Sequence, residues 1–121
     1  MSYYCDYFIT ANDRKFTEEE ILKIKKFFNK INFPDVYVKN IWLDLTGKFP
    51  EKELNAIVLS KIQWREEEID MKNLSKKMKD ILFKIISFGE DQPDYCCSFY
   101  KNGLSDRINL KLVQERETIL T

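Results

Sequence analysis

Glu66-Glu67-Glu68 with Asp70 is the densest set of carboxylates in the chain. Two facing carboxylates are enough for glycoside hydrolysis, so this run is the first place to look for chemistry. The chain holds no histidine. Neutral-pH proton transfer would therefore fall to perturbed carboxylates, lysines or thiols, and histidine-based triads are excluded. An acidic run just ahead of a helix has a simpler explanation, as a solvated segment whose charge complements the positive end of the helix dipole.

The thiols are Cys5, Cys96 and Cys97, an odd number and too few for the disulfide framework of a secreted domain. Adjacent strand residues point to opposite faces, so Cys96 and Cys97 read as one core-filling thiol and one at a half-buried sheet surface, with redox use of the three as the sharper alternative. A zinc site is disfavoured without histidine, and no metal or cofactor is expected. Three glycines, Gly47, Gly89 and Gly103, cannot be arranged into a Rossmann fingerprint or a P-loop.

The elements that must position these groups follow from pattern. Tyr3 to Thr10 alternates aromatic and β-branched residues as a first strand. Thr17 and Glu20 form a capping box, Phe16 and Ile21 a hydrophobic staple, and Ile21, Ile24, Phe28 and Ile31 the stripe of a helix that Pro34 closes. Asp35 to Thr46 reads as strand two. Leu54 to Trp64 fits a strand better than a helix begun at Pro50. Asp70 is placed to cap a second helix, with Ile69 and Leu74 as its staple and a stripe of Met71, Leu74, Met78, Ile81, Leu82 and Ile85, ended by Gly89. Tyr95 to Tyr100 and Arg107 to Val113 are two further strands around Asn102-Gly103, a dipeptide suited to a tight hairpin.

The resulting order, β-α-β-β-α-β-β, predicts one α+β domain over residues 1–121. Two helices would pack on one face of a mostly antiparallel four- to five-stranded sheet, a ferredoxin-like sandwich with an added C-terminal strand. A composition of 44% hydrophobic and 33% charged residues places the chain in the folded, not the disordered, class. No run approaches the length of a spanning helix, and the first residues lack the pattern of a secretory signal, so a cytoplasmic location and no membrane partner are expected.

Net charge is zero but unevenly spread. Residues 71–89 carry five lysines against one aspartate, whereas residues 35–70 carry five basic groups against eight acidic ones. With both helices on one side, the other sheet face is left to water or to a partner, and aromatic anchors among charges suit binding. The function expected is a non-catalytic protein-binding module, in the style of a small inhibitor or immunity-type protein that neutralises a toxin or enzyme. Tyr4, Trp42, Asp44, Glu66, Glu67, Glu68 and Tyr100 are its candidate contacts, toward a partner with a basic surface. Two alternatives stand beside it: a nucleic-acid-binding domain using Lys72, Lys76, Lys77 and Lys79, and a small carboxylate- or thiol-dependent enzyme. A homo-oligomer is compatible with the same surfaces.

Overall fold

The computed structural model describes residues 4–12, 14–43, 52–89 and 95–109. The elements are β1 (Cys5–Thr10), α1 (Glu18–Lys30), β2 (Tyr37–Leu43), β3 (Lys52–Ile62), α2 (Glu67–Lys77), β4 (Phe83–Gly89), β5 (Tyr95–Lys101) and β6 (Leu104–Asn109). They form an α+β arrangement in which the strands lie in the order β2-β3-β1-β4-β5-β6 and every ladder is antiparallel. Each helix connects strands separated by one intervening strand, the split βαβ arrangement the element order predicts. β5 and β6 extend the sheet beyond β4 as a meander.

Local chemistry explains where α1 starts. Thr17 Oγ1 accepts from the Glu20 amide at 3.2 Å, and the Glu20 carboxylate accepts from the Thr17 amide at 2.9 Å. The Arg14 guanidinium, 2.9 Å away, holds the Glu20 carboxyl below the usual range. Asn55 on β3 ties down the approach to the helix, accepting from the Phe16 amide at 2.7 Å and donating to its carbonyl at 3.0 Å. Ile24 and Phe28 are then buried against the sheet.

Leu54 to Ile62 is strand, as its alternation predicts. A bulge interrupts its pairing with β1 between Cys5 and Tyr7, where Lys61 takes φ 51° and donates its amide to Asp6 Oδ1 at 2.8 Å. An extra residue in one strand leaves an unpaired amide, and Asp6 satisfies it.

The second helix departs from expectation at both ends, and the sheet gains a strand. It begins at Glu67, Glu66 makes no side-chain cap, and Asp70 accepts from the Trp64 indole at 2.9 Å instead of capping. Ile69 is exposed, so it is no staple. The helix stops at Lys77, and Phe83 to Gly89, read from sequence as its last turns, is β4. The segment is apolar on both sides: Phe83 and Ile85 meet the helices while Ile86 is buried on the other face. An apolar run interrupted only by Lys84 and Ser87 satisfies helical and strand periods alike, and burial of both faces of a central strand decided the matter.

The core lies between helices and sheet, and Trp64 stands near its middle. Its ring makes edge contacts with Tyr7, Phe28 and Phe33 at centroid distances of 5.2, 5.4 and 5.8 Å. Thus β1, α1 and the residues after α1 converge on one side chain from the end of β3.

Asn102 and Gly103 form the β5–β6 turn with φ of 47° and 82°. Both left-handed values mark the mirror-image turn that matches strand twist. The Gly103 amide donates to Ser75 Oγ at 2.8 Å, while Ser75 donates to the Lys72 carbonyl, so the hairpin tip is hooked onto α2. A methyl group at Gly103 would meet the Lys76 side chain at 2.6 Å in a conformation unfavourable to it. Gly103→Ala is expected to lower stability by about 1–2 kcal/mol, measured by urea unfolding.

Candidate functional site

Strand alternation divides the sheet's side chains between two surfaces. Tyr7, Ile9, Ile57, Leu59, Phe83, Ile85 and Tyr100 belong to the core beneath the helices. The other surface carries, from β2 across to β6, Tyr37, Lys39, Ala56, Val58, Phe8, Lys84, Ile86, Phe88, Cys97, Phe99, Lys101, Leu104 and Asp106. Its centre is apolar and tightly closed: Ala56, Val58, Ile86 and Cys97 are buried. Its rim is open, with Tyr37 46%, Phe88 40% and Leu104 75% exposed.

Two hollows open at opposite ends of β4. One, of about 340 Å³, is bounded by Tyr4, Asp6, Lys61 and Phe88. The other, of about 430 Å³, lies among Leu82, Phe99, Lys101 and Leu104. Phe8 packs edge-on against Phe88 at 5.7 Å, and the Lys84 ammonium sits 5.6 Å from the centroid of Phe99. Burial beside that ring lowers the Lys84 pKa. Among the described residues, Lys39, Lys84 and Lys101 give this face a mainly basic border, with Asp6 and Asp106 as its acidic members.

The candidate contacts read from sequence do not gather on one surface. Tyr4 stands beside the first hollow and is exposed. Trp42 pairs with Glu53 in the β2–β3 ladder, and Asp44 lies outside the described residues. Glu66 and Glu68 are exposed, but they belong to the helical layer. Tyr100 is 2% exposed and lies under that layer, opposite to the expected face, because the β4–β5 register pairs it with the core residue Phe83.

Glu67 corrects the solvated reading of the acidic run. It is buried, accepts from the Tyr100 hydroxyl at 2.6 Å and from the Arg107 guanidinium at 3.1 Å, and Arg107 continues to Ser98 Oγ at 3.0 Å. The neighbouring Glu68 faces outward, where Lys72 at 3.3 Å holds its carboxyl below the usual range. One member of the triplet is thus a buried anchor and its neighbours are not. The i+4 and i+7 spacing of Met71 and Leu74, both buried, from Glu67 was the available signal.

Burial, reinforced for Tyr100 by its bond to Glu67, pushes the pKa values of Tyr7 and Tyr100 far up. A raised folded-state value means stability complete below the ordinary tyrosine value of 10.0 and lost as pH rises beyond it. Ultraviolet titration should show Tyr7 and Tyr100 ionising only with alkaline unfolding; ionisation of all tyrosines in the folded protein would contradict this.

The lysines proposed for nucleic acid diverge. Lys72 pairs with Glu68, the Lys76 chain lies over Gly103, Lys77 sits against Phe27 on α1, and Lys79 borders the second sheet-face hollow. Burial pushes the Cys5 and Cys97 thiols up, which disfavours the thiolate. Cys5 pairs with Gly89, and Cys96 with Ser87 on the far side of β4, so two ladder spacings of roughly 5 Å separate them, beyond disulfide reach. All three cysteines are free. Among the described residues, no helix is long and apolar enough to cross a membrane and no metal-binding group of His, Cys, Asp and Glu is found.

No family model matches the chain, and no curated protein matches it. Among solved structures, it is similar to a phage SAM lyase in complex with S-methyl-5'-thioadenosine, at 10% identity over 89% of this chain and 88% of that one. The TM-score is 0.37, a likeness that carries no argument about activity.

Proposed function

We propose that this chain is a non-catalytic protein-binding module that holds its partner on the sheet face turned away from α1 and α2. The observation supporting this reading is the closed apolar centre flanked by two open hollows, with Phe88 and Leu104 exposed at their edges. Recognition surfaces place an apolar centre inside a polar border, and anchor side chains fill hollows of this kind. Lys39, Lys84 and Lys101 fit a partner whose apolar patch is edged with carboxylates. A basic partner surface would instead have to meet Glu66 and Glu68 on the helical layer. A small inhibitor or immunity-type protein acts in this way, neutralising a toxin or enzyme through shape and charge alone.

The test is capture from a native lysate by the native chain and by a Phe88→Glu, Leu104→Glu double variant. Leu104→Glu, at a position 75% exposed, should change stability by about 0.5 kcal/mol or less, whereas Phe88→Glu also gives up the edge contact with Phe8, so a native-like circular dichroism spectrum of the variant is established before capture. The reading expects a stoichiometric partner that the variant fails to hold. Equal capture by both proteins, or no stoichiometric partner, would count against it.

A further inference from the structure

Between α1 and α2, on the layer opposite that sheet face, lies a cleft of about 290 Å³. Lys23, Lys26 and Lys30 line it from α1 and Lys77 from α2, and among the described residues no carboxylate shares the lining. Phe27, Leu74 and Met78 supply its apolar part, with Phe27 and Met78 half-buried. Lys23 bridges the exposed Glu19 at 3.3 Å, while Lys26 and Lys30 make no ion pair among the described residues.

We propose that this cleft seats an acidic, amphipathic helix from a partner protein. The α1 lysines recur at i, i+3 and i+7, a row roughly 10 Å long on one helix face. Carboxylates at the same spacing on a partner helix would meet them, and an adjoining apolar ridge would enter between the helices. The lysine stems enlarge the apolar wall while their charges stay in water.

A nucleic acid fits less well. Among the described residues the lining has no arginine fork for phosphate, and it offers one aromatic ring, the half-buried Phe27, where a single strand needs several rings for successive bases to stack. The proposal is independent of the sheet-face reading, since it uses other residues on the other layer.

The experiment is an NMR amide titration of the full chain at low salt. The probe is a synthetic helical peptide about 18 residues long, with glutamates at i, i+3 and i+7 beside a leucine ridge. A scrambled peptide of the same composition and an oligothymidine strand are run in parallel. The expected result is a set of shifts confined to residues 23–30 and 74–78 with the patterned peptide. Affinity should fall with salt and weaken about tenfold in a Lys26→Glu, Lys30→Glu variant whose remaining spectrum is unchanged. Failure of the patterned peptide to shift these amides, equal binding by the scrambled peptide, preferential binding of the oligothymidine, or affinity indifferent to the charge reversal would each overturn the proposal.

Discussion

Replacing Trp64 by alanine should cost about 3–5 kcal/mol, a large part of the stability of an ordinary domain. The substitution empties a buried site where Tyr7, Phe28 and Phe33 meet the indole edge-on, and it leaves Asp70 without the indole donor at 2.9 Å. Trp64→Phe should recover part of the loss, because an aromatic ring remains but the bond to Asp70 does not. Urea unfolding separates the two variants: the alanine midpoint should fall well below the phenylalanine midpoint. Similar midpoints for Trp64→Ala and the native chain would show that this aromatic junction is not where the layers are held.

Glu67→Ala has the second largest expected effect, about 2–3 kcal/mol, because a buried Tyr100 hydroxyl loses its acceptor and Arg107 loses its ion pair. The estimate stays below that of a fully enclosed pair because the Arg107 side chain is 56% exposed. Glu67→Gln keeps an acceptor for Tyr100 and should cost less than Glu67→Ala. Hydrogen exchange should localise the weakening of Glu67→Ala to α2 and the β5–β6 hairpin. Uniform loss of protection, or equal destabilisation by both substitutions, would refute this local account.

Much of this architecture is written in short-range pattern. The Thr17–Glu20 capping box, the alternation through Leu54–Ile62 and the Asn102-Gly103 turn each involve neighbours in sequence, so local sterics and hydrogen bonding determine them. What escaped the pattern depended on distant residues. Ile81, Leu82 and Ile85 have helical spacing, yet pairing with β1 and β5 makes Phe83–Gly89 a strand. Tyr100 moved to the covered face through its register with Phe83, and Glu67 became buried because Arg107 lies 40 positions away in sequence but 3.1 Å away in space. Phe8 and Asp6 lie on the sheet face turned away from α1 and α2. Among the described candidates, Glu66 and Glu68 lie on the helical layer, Tyr100 beneath it, and Tyr4 beside a hollow of the other sheet face.

The sheet face turned away from α1 and α2 is where the partner should dock. Its exposed apolar groups have counterparts on the helices, Leu22 at 69% and Ile69 at 58% exposure, which serve as internal controls. Carbene footprinting of the chain alone and bound to its captured partner distinguishes the two layers directly. Labelling at Tyr37, Phe88 and Leu104 should be lost on binding with Leu22 and Ile69 unchanged; protection of Leu22 and Ile69 with the sheet face still labelled would place the partner on the helices instead.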